Sequence, residues 1–326
     1  MSTALVTGGT GFVGSHVVRA LIENGHQVRV LLRNSSKRDA LKGLSFEPVI
    51  GALDDPASLR AACTDVDIVY HIAAIADYWR ADPNQMRTVN VEGTRQVLAA
   101  ARDAGVRRVV FTSSAAAVGL RDDRPADENE RFNLKPEHFP YGYSKKLAED
   151  VVAEAVAGGQ DVVIVNPVVI MGPGDLNMIS GSFMLQIKRF GHFTPITSGG
   201  VAVVDVRDVA HWHMAAAEHG ITGQRYILGT ANYTYREWFD MIANVLGTRR
   251  PRLYAPDFTA PIVARMIEAA RRVGIPTPID ATQARMGIRK VYFDFSRTWQ
   301  TLGKPQIDMM QSLQDTYDWY REHGYL

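Results

Sequence analysis

Tyr141 and Lys145 stand in the run Tyr141-Gly142-Tyr143-Ser144-Lys145, a spacing that on a helix puts a phenol and an ammonium on one face, one turn apart. A free phenol titrates near about pH 10, too high for a base at neutral pH, but a fixed ammonium favours the phenolate. Tyr141 thereby becomes a usable proton donor or acceptor. Ser114, at the end of an apolar, β-branched run, supplies a hydroxyl that can donate to an oxygen on which negative charge develops. Ser113 and Thr112 compete for that role, because side chains alternate faces along a strand and the strand's exit decides which hydroxyl is presented. The spacing Tyr-x-x-x-Lys is common by chance, so its weight depends on its surroundings.

Those surroundings begin at residue 4. A strand from Ala4 to Thr7 runs into Gly8, Gly9, Thr10, Gly11, Phe12, Val13 and Gly14, followed by an amphipathic helix. Glycines allow a tight turn and close backbone approach to a pyrophosphate, and the helix N-terminus presents N–H donors with a partial positive charge. Gly9, Gly11 and Gly14 satisfy GxGxxG, and Gly8, Gly11 and Gly14 equally satisfy GxxGxxG. The next strand, Val28 to Leu32, runs into Arg33, with Lys37 beyond, where NAD binders usually carry an acid for the ribose hydroxyls. Arg33 could stack on adenine and, with Lys37, neutralise a 2′-phosphate, so NADP(H) is expected over NAD(H). Lys145 would then also reach the nicotinamide ribose, and an oxidised ring adds to the charge that favours the Tyr141 phenolate. The chemistry implied is hydride transfer, with Tyr141 moving the proton.

Repeated strand-helix units must position these groups. Further strands are expected at Phe46 to Ile50, Ile68 to Ala73, Val109 to Ser113 and Val162 to Asn166, apolar enough to be covered on both faces. That pattern predicts an α/β fold of Rossmann type, a doubly wound parallel sheet with a smaller C-terminal α/β substrate lobe. Val13, Val17 and Leu21 make one helical stripe stopping before Gly25; Met86, Val89, Gly93, Val97, Ala100 and Ala104 make another ending at Gly105. After Pro167, glycines and prolines break the regularity. Residues 1–166 are read as the dinucleotide-binding domain, with 201–230 returning to it, and 167–326 as mainly the substrate lobe. Met309, Leu313, Tyr317 and Tyr320 predict an amphipathic last helix docked on that lobe.

The 326 residues carry a formal charge of +1 and 46% hydrophobic residues, with no apolar run long enough to cross a bilayer. Neither nucleic acid nor a membrane is an expected partner. A single cysteine, Cys63, excludes an internal disulfide framework and is read as a small core residue in a cytoplasmic protein. The first strand begins too close to Met1 for a secretory signal, so none is expected.

Taken together, TGGTGFVG, FTSSAAAVG and YGYSKKLAE resemble the extended short-chain dehydrogenase/reductase family, of NAD(P)-dependent epimerase/dehydratase type. HIAA at His71 to Ala74, Asn90 with Gly93 and Thr94, and NPVVIMGPGD from Asn166 extend the likeness through nearly the whole chain. HIAAIADYWRADP, RYILG and YREHGYL look most like the dihydroflavonol reductase-like and hopanoid-associated sugar epimerase-like branch. The resemblance implies Ser114, five residues before Gly119, as the catalytic serine. It implies cofactor contacts at Ala73, Ala74, Asn90, Thr112 and Pro167; Tyr78, Ala115 and Phe183 are read as substrate contacts. It also implies a homodimer formed through the helices after the fourth and fifth strands, where Leu147, Val151 and Ala155 offer an apolar face. The family's adenine-binding acid looks like Ala52 here, leaving Asp54 or the backbone around Leu53 as substitutes. The usual arginine before the strand-six proline is Asn166. Ala115 and Ala116 replace the Asp-Glu pair of sugar dehydratases, which disfavours dehydration.

Tyr78, Trp79, Phe183, Met184, Phe190 and Phe193 could line an apolar pocket for a hydrophobic carbonyl compound, or belong to the core. Arg189, His192, Arg207 and Arg252 could clamp a nucleotide diphosphate. His211 and His213 point to different faces of a helix, so no metal site is expected. Asp208 is expected to cap or orient the helix that starts near it. Three functions are weighed: an NADP(H)-dependent reductase of ketones or aldehydes, which leads; an NAD(P)-dependent nucleotide-sugar epimerase; and a non-catalytic dinucleotide sensor, disfavoured by the intact Ser114, Tyr141 and Lys145.

Overall fold

The computed structural model of the chain describes residues 2–76, 82–176, 178, 181–275, 277 and 279–326. Its first half alternates strand and helix: β1 (Thr3–Thr7), α1 (Phe12–Glu23), β2 (Gln27–Leu32), β3 (Glu47–Ile50), α2 (Pro56–Cys63), β4 (Ile68–His71), α3 (Pro83–Arg87), α4 (Gly93–Asp103), β5 (Arg108–Thr112), α5 (Pro140–Ala157) and β6 (Val162–Pro167). There follow β7 (Val169–Met171), α6 (Ser182–Phe190), β8 (Pro195–Ile196), β9 (Gly200–Asp205), α7 (Val206–His219), β10 (Arg225–Leu228), β11 (Ala231–Thr234) and α8 (Tyr235–Val245). The chain closes with β12 (Leu253–Tyr254), α9 (Thr259–Arg272), α10 (Ala281–Met286), β13 (Lys290–Val291), α11 (Ser296–Thr301) and α12 (Met309–Glu322).

Seven parallel strands form the main sheet in the order β10-β6-β5-β4-β1-β2-β3. β1 pairs with β2 on one side and β4 on the other, so the winding reverses at the end of β1, where such sheets open a crevice. Adjacent strand residues feed opposite layers: Val6 packs with Val17 and Leu21 of α1 and Trp212 of α7, while Leu5 packs with Leu59 of α2, Val97 of α4 and Val152 of α5. Two-sided burial is why these strands are apolar throughout instead of alternating. Cys63 is buried in the second of these layers, as are Val151 and, partly, Leu147 and Ala155. The apolar face of α5 thus already packs within one chain.

Four of the remaining strands build a smaller sheet around β9, with β11 antiparallel on one edge and β7 and β13 parallel along the other, while β8 and β12 pair in parallel as a separate two-stranded sheet. Trp238 and Ile242 of α8 and Met309, Leu313 and Tyr320 of α12 pack beneath the β9 sheet. The segment 201–230 divides between the layers, β9 lying in the small sheet while α7 and β10 complete the large one.

Several local expectations change. β4 stops at His71 instead of Ala73: Ile72 still donates to the Thr7 carbonyl (3.2 Å), but β1 turns away at Gly8 and Ala73 donates to the Thr7 hydroxyl instead (3.3 Å). The stripe from Met86 to Ala104 is not one α-helix, because Thr88–Glu92 forms a π turn between α3 and α4. Its wider turn rotates Asn90 and Val91 inward and leaves Val89 half-buried, while Ala104 ends exposed. Asp205, not Asp208, caps α7, accepting from the Arg207 amide (2.7 Å). The Asp208 carboxylate instead holds the amides of Gln306 and Ile307, which lead into α12.

Candidate active site

The turn after β1 is held close to β4 by the absence of side chains. Gly8 has φ +75°, and a Cβ on it would lie 2.6 Å from the Ala73 nitrogen; one on Gly14 would lie 2.1 Å from the Gly8 carbonyl oxygen. Gly9 plays a different part, facing Val30, whose Cγ1 is 2.6 Å from where a Cβ would be. Of the two glycine registers, it is Gly8, Gly11 and Gly14 that border a cleft of about 1270 Å³, with Thr10, Phe12 and Val13 between them. Gly11 is the N-cap of α1 and contributes no side chain over the helix's first amides. A cradle of this shape, with N–H donors converging on it, fits a pyrophosphate.

Arg33 lies exposed at the cleft wall, its amide donating to the Ser36 hydroxyl (3.0 Å), and Ser36 borders the cleft as well. Sequence reasoning missed Ser36; its signal was a hydroxyl residue three positions after a strand-terminal arginine. Lys37 is exposed and is not part of the wall. Leu53 and Asp54 border the cleft, and Leu53 packs against Gly93, where a Cβ would meet its Cδ1 at 3.0 Å. Ala73, Ala74, Thr112 and Pro167 also contribute to the wall.

Asn90 sits one layer behind. Its side-chain oxygen accepts from the Ile75 amide (2.8 Å), and its Nδ2 donates to the Ile75 carbonyl (3.1 Å) and the Ser144 hydroxyl (3.0 Å). It therefore clamps the loop after β4 to α5 and does not itself reach the cleft. A relay runs beside it: the Thr94 hydroxyl donates to the Asn90 carbonyl (2.7 Å), which leaves it to accept from His71 Nε2 (3.1 Å), and Thr7 donates to His71 Nδ1 (2.8 Å). Burial and the neighbouring Lys145 push His71 down to about 3, so the ring is neutral, as this tautomer requires.

The hydroxyls at the end of β5 separate cleanly. Thr112 Oγ1 donates to Nε2 of the buried His213 (2.8 Å), whose Nδ1 donates to the Val209 carbonyl (2.7 Å). Ser113 donates to Glu149 (2.5 Å). Ser114 alone of the three is hydrogen-bonded to the side chain of Tyr141. Two features bring them together. Asn166 donates to the Ser114 carbonyl (3.0 Å) and to Glu149 (2.7 Å), whose other oxygen meets Arg225 of β10 at 2.5 Å. Gly142 lets the first turn of α5 lie against the Ser114–Ala117 bend, since a Cβ there would stand 2.4 Å from the Ala116 oxygen.

Lys145 is buried, with Nζ donating to the Thr112 carbonyl (2.9 Å) above the Phe111 ring. Burial lowers its pKa to about 8, against the opposing pull of Glu149. Burial raises the Tyr141 phenol above its ordinary value, and the Ser114 hydrogen bond opposes that. Burial sets the direction, so the phenol is held protonated.

Beyond Tyr141 the cleft continues between the two sheets. Ala115, Leu134, Phe139, Phe183, Phe239 and Met286 are among its apolar walls, and Thr197 and Gln283 among its uncharged polar ones. Phe183 packs against Tyr235 and Phe239, and Met184 is buried in the lobe's core. Phe190 and Phe193 belong to neither pocket nor core: they are 41% and 66% exposed. Tyr78 and Trp79 lie outside the described residues. Among the described residues of the wall, the only cationic side chains are Arg33 and Lys145. Arg207 is paired with Asp205 and Asp315, and Arg252 with Asp240.

Comparison with known proteins places this geometry. Residues 4–229 match the model of the NAD dependent epimerase/dehydratase family. The chain is 35% identical to a Synechocystis sp. protein provisionally named a dihydroflavonol 4-reductase, over 98% of this chain and 95% of that one. It is 34% identical to sterol demethylase protein B of Methylococcus capsulatus, over 99% of each. The crystal structure of gox2253 is 34% identical and superposes over the full length of both chains with a TM-score of 0.87.

Proposed function

Because the chain belongs to the NAD-dependent epimerase/dehydratase family, and so to the NAD(P)-dependent enzymes of the extended short-chain dehydrogenase/reductase type, we propose that it reduces an apolar ketone or aldehyde to the alcohol with NADPH. When bound, NADPH would supply a hydride to the carbonyl carbon, becoming NADP⁺, while Tyr141 gives its proton to the carbonyl oxygen and so completes the alcohol. Ser114 donates to that oxygen as charge grows on it, and Lys145 keeps positive charge beside the Tyr141 phenolate as it forms. A phenol held protonated by burial starts on the donor side of this exchange.

The observation that carries the reading is the substrate half of the cleft, mostly apolar and, apart from Lys145 beside Tyr141, without a cation on its described wall. A nucleotide sugar brings a diphosphate that would need arginine or lysine there. The relatives named for dihydroflavonol and sterol chemistry are in keeping with an apolar substrate. The test offers the purified protein aromatic and alicyclic ketones with NADPH, and separately UDP-hexoses without added cofactor. Carbonyl-dependent NADPH consumption is expected; hexose interconversion with no such consumption would transfer the assignment to an epimerase.

Arg33 at the mouth supports NADPH over NADH, with Ser36 as a second donor to a 2′-phosphate. Arg33→Ser removes a charge-assisted hydrogen bond and should narrow the preference for NADPH over NADH by roughly tenfold to a hundredfold in Kd. An unchanged ratio would place the phosphate elsewhere.

Lys145 adds a pH signature. Since its ammonium loses its proton near about pH 8 in the free enzyme, kcat/KM for reduction should fall as pH rises through that value. The sign for stability is opposite. The folded state binds fewer protons than the unfolded chain between pH 8 and the ordinary lysine value of 10.5, so this group's burial penalty is present below 8 and fades as pH rises. A kcat/KM profile flat across this range would remove the Lys145 charge from the reaction.

A further inference from the structure

α9 presents two apolar faces. Ala260, Ala264 and Ile267 are buried, and Glu268 ties the helix to α10 through Arg285 (2.7 Å). On the opposite side Ile262, Met266, Ala269 and Val273 advance by four, three and four residues, which places them in one outward stripe. Met266 is 66% exposed and Val273 72%. Phe258 just before the helix (70%) and Ile275 just after it (56%) lengthen the stripe at both ends. Fourteen residues of helix make it about 21 Å long.

The segment of chain that carries this stripe is basic. Residues 249–275 contain six arginines against Asp257 and Glu268, a net +4 in a chain whose total is +1. Arg265 and Arg272, seven positions apart, run along one flank of the stripe. Averages over the whole chain hide this local field, which is why composition gave no reason to expect a membrane partner.

We propose that this face docks on an anionic lipid bilayer, with α9 lying in the plane of the interface and its outward stripe entering the headgroup boundary. A convex helix with aliphatic side chains and an aromatic at one end suits a fluid surface, and arginines beside it complement anionic headgroups while their stems follow the apolar layer. No helix of the described residues is long and apolar enough to cross a membrane, so the contact is peripheral. α10, packed on the inner side of α9, contributes Thr282, Gln283 and Met286 to the wall of the cleft. The docked face therefore borders the substrate end of the site. The proposal concerns the surface of the lobe and stands independently of the reaction assigned to the cleft.

Co-sedimentation of the full chain with phosphatidylcholine vesicles, with and without phosphatidylglycerol, tests it. Binding is expected to the anionic vesicles, weakened by salt and much weaker to phosphatidylcholine alone. Met266→Ser should reduce vesicle affinity by about tenfold, and Arg265→Gln by about fivefold. Both positions are exposed, so melting temperature and NADPH affinity should stay at the parental values. Equal affinity for both vesicle types, or for Met266→Ser and the parent, overturns the proposal. So does light scattering that shows a dimer which Met266→Ser converts to monomer without any vesicle binding, since the stripe is then an interface between copies.

Discussion

Tyr141→Phe is expected to lower kcat for carbonyl reduction by about a thousandfold while changing NADPH affinity little, because the substitution deletes one oxygen and keeps the ring. Ser114 then loses its side-chain partner, and no other described hydroxyl at the end of β5 is placed to take over: Thr112 is engaged with His213 and Ser113 with Glu149. The check is single-turnover reduction at saturating NADPH, with the parental thermal transition as a control for folding. A loss of less than about tenfold would mean that the proton comes from elsewhere and that the acid assigned to this site is wrong.

Gly14→Ala should act on cofactor binding more than on chemistry. Its Cβ would stand 2.1 Å from the Gly8 oxygen and 2.9 Å from the Gly9 Cα, all backbone that can relieve the clash only by moving α1 away from the turn. Overpacking of this kind costs about 1–3 kcal/mol of stability. The displaced helix N-terminus should weaken NADPH by about a hundredfold or more, through loss of amide contacts to the pyrophosphate. A fluorescence titration with NADPH and a thermal melt separate the two effects. Parental affinity at a lowered melting temperature would detach the turn from the cofactor.

How much of this was legible in the sequence differs from residue to residue. The glycine turn, the Tyr-Lys pair and the strands around them could be read directly, since each is a contiguous segment whose spacing alone decides its geometry. Boundaries were less secure where a partner decides them, as at the end of β4, where the Thr7 hydroxyl replaces a backbone acceptor. The π turn at Thr88–Glu92 was invisible to periodicity, because one added residue shifts the inward face and keeps the composition. Asn90 lies within that turn and clamps the Ile75 loop.

What the sequence determined alone was the family of chemistry: a dinucleotide cradle, a phenol and an ammonium one turn apart, and the parallel sheet that sets them at one edge. Only the tertiary structure decided which of three hydroxyls meets Tyr141, which of two glycine registers faces the cleft, and that the arginines at 189, 207 and 252 lie outside its wall. It also decided that the second apolar stripe of α9 faces outward. The physical reason is common to all four. Local spacing fixes what one segment presents, but whether that face meets a partner, a cavity or solvent depends on segments distant in the chain, and the sequence carries that only through the whole fold.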